Sequence, residues 1–233
     1  MPGFIFHLLH GKMITDRNNI IFTEDENKQF TMGLLMPDSK KVRKTDDGYT
    51  HFYNENQEGK ILKVPDLSRF RYYQFMDNPF VLGYLAHLYL DKLFFEEFFT
   101  CYVKFLDVEG NVTKEEKDVH SVFLINSKET ISVSELFSEK YLYGDYTILN
   151  RYLIDKYQLK AVDYAEVANP IKEIDIKDFK YVQDSLKRFV DASVPGTKIR
   201  VFTIESVEQA LERYAFGFEQ WLEGFKANKF QKE

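Results

Sequence analysis

Cysteine occurs once in the chain, at Cys101. A single thiol excludes an internal disulfide and a cysteine-based zinc cluster, and Cys101 itself reads as a small buried hydrophobe. Positive charge is in deficit: 31 Lys and Arg stand against 37 Asp and Glu, for a formal net charge of -6. A field of that sign does not attract nucleic acid or anionic membrane surfaces. No specific nucleic-acid binding is therefore expected, and an anionic substrate would need a local positive centre. No stretch reaches the roughly 18 uninterrupted apolar residues expected of a transmembrane segment. The opening "MPGFIFHLLHGKMI" has no basic n-region and no small-residue cleavage site, and His7 and His10 break its apolar run. It reads as mature sequence, with a cytoplasmic location as the default expectation. Repeats and low-complexity tracts are missing as well.

Aromatics are abundant, with 22 Phe and 15 Tyr among 233 residues, which suits wide spaces between helices filled by rings. One domain over residues 1–233 is expected. Residues 1–99 read as a helical unit, with clusters such as "FIFHLLHGKMI" and "FTMGLLM" separated by the polar loops "TDRNN" and "DSKKVRKTDDGY". Residues 100–131 change to alternating and β-branched character around Glu109, Gly110 and Asn111, the signature of a small β-hairpin. Residues 132–233 return to helical spacing. Phe179, Val182, Leu186 and Phe189 share one face, "ASVPGTK" interrupts, and "SVEQ" predicts a capped helix start near Ser206. Val207, Leu211, Tyr214, Phe218, Trp221 and Phe225 then form a packing stripe, and "KANKFQKE" reads as a solvated end.

The stretch "GYLAHLYLDKLFFEEFF", residues 83–99, is apolar on nearly every side of a helix, so it belongs in a core. Asn78 and Pro79 stand where that helix would begin. His87 and Asp91 are four apart and project from one face, with Gly83 one turn earlier on the same line. A buried ionised carboxylate must be paired, neutralised or given to a metal. Hydrogen bonding between His and Asp in a core satisfies that demand too, so this stretch alone leaves both readings open.

Other polar residues sit in similar apolar settings: His7 in "FIFHLLH", Asp38 in "MGLLMPDSK", His51 in "YTHFYN". Nitrogen and carboxylate donors suit zinc, and sites without cysteine are more often catalytic than structural. The chain has no G-x-S-x-G elbow, no P-loop, no dinucleotide fingerprint and no adjacent His-Asp pair of the kind HD-type phosphohydrolases use. The ordered set "MPGFIFH", "GLLMPD", "THF" and "GYLAHLYLD" resembles the zinc-dependent phospholipase C family, whose all-helical fold is shared with certain single-strand nucleases. The resemblance covers residues 1–99.

It implies an all-α, multi-helix phospholipase C/nuclease-like bundle decorated by the hairpin, and a phosphoester hydrolase using a metal-bound water. Asp38, His51, His87 and Asp91 would hold one Zn2+, and Asp91 would bridge to a second held partly by His7. Gly83 would let another ligand-bearing segment approach. Asp38 is the candidate general base. The substrate would be a small-molecule or lipid-headgroup phosphoester. The family's secreted enzymes use a processed N-terminal residue as a ligand, a role that would fall to the Pro2 amine after loss of Met1. Their third zinc takes a His six residues after the bridging Asp. Glu97 stands there in this chain, so a third site would be carboxylate-rich, with Glu97 and Asp145, or absent. Surface pairing of Glu96 or Glu97 with Lys92 or Lys104 is the alternative for those acids, and His10 reads as a helix-end residue before Gly11 or as an orienter of the metal ligands. A non-enzymatic helical interaction protein, with a structural metal or an internally satisfied His/Asp cluster, is the competing expectation for the whole chain.

Overall fold

The computed structural model describes residues 2–17, 20–42, 49–191 and 198–230. Its first half is built on three long helices, with a short fourth between the last two. α1 (Phe4–Arg17) and α2 (Glu24–Leu35) are joined by a short connection, and α2 continues through a 3₁₀ turn, Met36–Asp38, into α3 (Ser39–Val42). The start of α2 is fixed by a capping box: the Thr23 side chain accepts from the Glu26 amide while Glu26 reaches back to the Thr23 amide. α4 (Pro79–Leu93) starts where the sequence predicts, with the Asn78 side chain accepting from the amides of Phe80 and Val81 and proline in the first turn.

α4 is buried from Phe80 to Asp91 on all sides. It does not end at Leu93 but passes into a π-helical turn, Phe94–Phe99, and then α5 (Thr100–Tyr102). In that turn Phe94, Phe95, Phe98 and Phe99 stay buried while Glu96 and Glu97 face outward. The decisive packing is the crossing of α2 and α4. A Cβ added at Gly33 would lie 2.1 Å from the Phe80 carbonyl oxygen, and one at Gly83 would lie 2.0 Å from that of Phe30. Only glycine at both positions lets the two backbones touch.

Residues 103–131 form a three-stranded antiparallel sheet in the order β1 (Val103–Leu106), β2 (Ser121–Leu124), β3 (Glu129–Ile131). Val103 pairs with Leu124 and Phe105 with Val122, so the alternating buried residues share one face. The expected turn is present, with Gly110 at φ 85°, but the hairpin acquires a third strand through Lys128, also at positive φ. α6 (Val133–Leu136) and α7 (Leu142–Tyr157) follow, then a long extended segment, α8 (Phe179–Asp191) and α9 (Ile204–Phe230). The chain is thus mostly helical with one small sheet. Among the described residues no helix is long and apolar enough to cross a membrane.

Several sequence expectations change. Cys101 is exposed, because the π-helical turn rotates it outward, and its thiol donates to the Glu97 carbonyl at 3.0 Å. α9 begins two residues before Ser206: Thr203 and Ser206 cap reciprocally, amide to hydroxyl, at 3.2 and 3.1 Å. Phe189 is 45% exposed although Phe179, Val182 and Leu186 are buried on the expected face. Gly11 does not end a helix, since it is buried against Leu34 while α1 continues for six more residues. The stripe on α9 packs as expected, with Val207, Leu211, Tyr214 and Phe218 buried. α9 carries helix through Phe230, whereas the last three residues of "KANKFQKE", residues 192–197 of "ASVPGTK", residues 18–19 of "TDRNN" and residues 43–48 of the polar loop lie outside the described residues.

Candidate metal centre

The five side chains singled out in the first half of the sequence converge on one point in the core. α4 supplies His87 and Asp91, α1 supplies His7, and the 3₁₀ turn after α2 supplies Asp38. His51 comes from the turn at residues 49–52, where Phe52 adopts φ 55°. A left-handed Phe costs on the order of 1–3 kcal/mol and persists only when its surroundings enforce it. Here the Phe52 ring is gripped by Phe70, Tyr72 and Tyr84, and the Tyr84 hydroxyl donates to the Thr50 carbonyl at 2.6 Å. That anchor ties the turn to α4 and aims His51 inward.

The donor atoms face one another. His51 Nε2 lies 3.3 Å from His87 Nε2, 3.6 Å from Asp38 Oδ1 and 3.5 Å from Asp91 Oδ2, and His87 Nε2 lies 3.6 Å from the same Asp91 oxygen. The other Asp91 oxygen, Oδ1, is 3.3 Å from His7 Nε2. Donor atoms bound tetrahedrally at about 2.0–2.2 Å to one ion are separated by about 3.3–3.6 Å. Good hydrogen bonds are shorter, at about 2.7–3.2 Å. Two overlapping triads, His7/His87/Asp91 and Asp38/His51/His87, each have donor atoms within 4.8 Å of one another.

Burial sharpens the point. His7, His51, His87 and Asp91 are 0% exposed and Asp38 is 2% exposed. Both ring nitrogens of His7 and both carboxylate oxygens of Asp91 have no partner of hydrogen-bond geometry among the described residues. Orphaned polar atoms in a core are strongly unfavourable, and a cation near His7 Nε2 and the Asp91 carboxylate would satisfy the acceptors among them. The residues present therefore fit a bound divalent metal. His87 is held from behind, since its Nδ1 lies 2.8 Å from the Leu34 carbonyl oxygen. His51 is braced in the same way by the Thr50 hydroxyl, 3.1 Å from its Nδ1.

The electrostatics agree. Burial and then the neighbouring His87 lower His7 to about 4, against the opposing pull of Asp91 and Asp38. For Asp91 burial opposes ionisation, but His87 and His7 outweigh it and hold the carboxyl well below the usual carboxylate range. Neutral imidazole with ionised carboxylate is the protonation state that metal ligands require. Next to the His51 turn, a cavity of about 470 Å³ is lined by Tyr49, Phe52 and Tyr53 and carries charges of both signs, Lys63, Arg69 and Arg71 with Glu55, Glu58 and Glu173.

The remaining candidates lie elsewhere. Pro2 is buried at the head of α1, and Met1 is outside the described residues. Glu97 is exposed and pairs with Arg213 at 3.4 Å, while Glu96 pairs with Lys92. Asp145 is buried and accepts the amides of Arg200, Val201 and Phe202 at 2.8, 2.7 and 2.9 Å. The structure does not bring Glu97 and Asp145 together as a third site: one is on a solvated face and the other is a fold pin. His120 is exposed at the edge of the sheet. His10 is buried in mid-helix against Tyr89 and Phe218, and burial followed by His7 and His87 lowers it to about 3. Tyr146 was not visible from sequence. Burial and then Asp91 push its phenol up, and its ring packs on Phe6 beside His7, but no motif surrounds it in the chain.

Comparison of the chain with protein-family models, with curated proteins and with solved structures gives no match.

Proposed function

We propose that the chain is a metal-dependent phosphoester hydrolase similar to zinc-dependent phospholipase C. The observation that supports this reading above all others is the spacing of His7, Asp38, His51, His87 and Asp91. Their donor atoms stand at ligand-to-ligand distances, and among the described residues Asp91 has no hydrogen-bond partner. Asp38, His51, His87 and Asp91 would hold one ion, and Asp91 Oδ1 with His7 a second. A pair of divalent ions, when bound, lowers the pKa of a coordinated water and neutralises phosphoryl oxygens. Zinc suits the nitrogen and oxygen donor set.

The chain's own groups supply the rest. Asp38, whose Oδ1 lies 3.6 Å from His51 Nε2, would accept the proton of an attacking water as general base. In the neighbouring cavity Arg71 is paired with Glu173, and Lys63 and Arg69 share the lining with Glu55 and Glu58, so the positive charge an anionic phosphoester needs would come from the bound ions themselves.

One observation favours a second reading, in which the metal is structural within a non-enzymatic helical protein: all five ligands are almost completely buried. Structural sites are closed, catalytic ones keep an open position. The deciding experiment uses protein with an untagged N-terminus, metal analysis and a panel of phosphomonoesters and phosphodiesters. Hydrolysis that is abolished by chelation and restored by Zn2+ supports the enzyme. Bound metal with no cleavage, and a lower melting temperature after chelation, supports the structural role and overturns the enzyme.

A further inference from the structure

α7 and α8 face each other with matched triplets. Thr147, Asn150 and Arg151 recur at i, i+3 and i+4 on α7, and Ser185, Arg188 and Phe189 do the same on α8. Together these six residues line a cleft of about 390 Å³. That volume is within the roughly 300–1,000 Å³ usual for small-molecule sites. Among the described residues no carboxylate lines it. Asn150 is only 7% exposed, and its Oδ1 has no hydrogen-bond partner among the described residues. A buried acceptor left without a donor is unfavourable unless something supplies one. No mechanism argued for the metal centre uses it.

The charges of the cleft are unequal. Arg151 is already neutralised by Asp155, which it grips at 2.9 Å through Nε and 2.8 Å through Nη2. Arg188 makes no ion pair among the described residues. Its guanidinium is instead oriented by its own helix, Nε to the Asp184 carbonyl at 3.3 Å and Nη2 to the buried Ser185 hydroxyl at 3.0 Å. Two contacts leave donors of the guanidinium fork free for an anion. One uncompensated positive charge matches one negative charge, which fits a carboxylate better than a doubly charged phosphate.

We propose that this cleft is a binding site for a small hydroxylated carboxylate, its anion on Arg188 and a hydroxyl donating to Asn150 Oδ1. Phe189, whose ring stands against Phe4 at 6.2 Å, closes the apolar side and connects the cleft to the turn of α1 that leads to His7.

Calorimetric titration of the metal-loaded protein with D-glycerate tests this, with propionate as the probe lacking a hydroxyl and glycerol as the probe lacking a charge. Glycerate is expected to bind saturably, and propionate and glycerol at least tenfold more weakly. Arg188→Gln, an exposed position that folding tolerates, is expected to weaken glycerate at least tenfold, and Asn150→Leu to reduce it to the level of propionate. Absence of saturable glycerate binding, or binding unchanged in R188Q, overturns the proposal. Glycerate bound no better than propionate overturns it as well. Loss of phosphoester cleavage or of bound metal bears on the metal centre alone, because neither Arg188 nor Asn150 belongs to it.

Discussion

His87 Nδ1 donates to the main-chain oxygen of Leu34 across 2.8 Å. A carbonyl can only accept, so this bond fixes the tautomer and turns the Nε2 lone pair toward His51 and Asp91. The bond exists because Gly33 and Gly83 let α2 and α4 touch. Gly83→Ala would put a methyl 2.0 Å from the Phe30 carbonyl oxygen and force the helices apart. The expected cost is about 1–3 kcal/mol of stability. Metal affinity should fall about 10–100-fold, as it does when a ligand loses its outer partner. Thermal denaturation and competitive metal titration read the two effects separately. A lower melting temperature with unchanged metal affinity would show that the Leu34 contact does not tune the centre.

Asp91 turns Oδ1 toward His7 and Oδ2 toward His51 and His87, so in the proposed centre it would serve both ions. Asp91→Asn keeps shape and removes charge, so both ions should be weakened together. Metal retained after dialysis should drop from about two equivalents to less than one, if paired ions are bound. Plasma emission spectroscopy on the dialysed protein measures this. Retention equal to wild type would remove Asp91 from the ligand set.

The candidate metal cluster was legible because its residues stand in or beside apolar runs. A His or Asp in "FIFHLLH", "GLLMPD" or "YLAHLYLD" is conspicuous on a face that periodicity assigns to the core. The α4 start was legible through Asn78 and Pro79 for the same local reason. What failed depended on long-range geometry or on a shift of helical phase. Cys101 is exposed because a π turn precedes it, and nothing in "FFEEFF" distinguishes π from α. Gly11 resembled a helix stop, but its partner is Leu34 on another helix. Asp145 carried the right chemistry for a ligand, yet its partners are three main-chain amides more than fifty residues away. Main-chain donors have no sequence signature.

Acid should destabilise the metal-free protein. His7 and His10 titrate at about 4 and about 3 when folded, and at 6.5 as ordinary imidazoles. As pH falls from 6.5 toward 4 the unfolded chain binds protons that the folded chain refuses, so stability present above 6.5 is lost on acidification. Each His contributes at most about 1.4 kcal/mol per pH unit in that window. His10→Leu removes one of the two without touching a ligand, and the slope should fall by roughly half. Urea denaturation of chelated protein between pH 7 and pH 5 gives both slopes. Equal slopes for wild type and H10L would mean that His10 finds a proton-accepting partner in the fold.

Asp145 and Asp91 are both buried acids, but only Asp145 has its carboxylate satisfied by main-chain amides among the described residues. Asp145 gathers the amides of Arg200, Val201 and Phe202 and so fixes the segment that feeds α9, while Phe202 itself packs among Phe94, Phe98 and Phe99. Asp145→Ala leaves buried donors without an acceptor, at a cost of about 1–3 kcal/mol for each unsatisfied group. The variant should therefore melt far below wild type, yet bind its full complement of metal at temperatures where it remains folded. Asp91→Asn should do the reverse, losing metal first and stability only by linkage. Circular dichroism melts and metal analysis on the two variants side by side separate a fold pin from a ligand. Metal loss in folded D145A would place Asp145 in the centre after all.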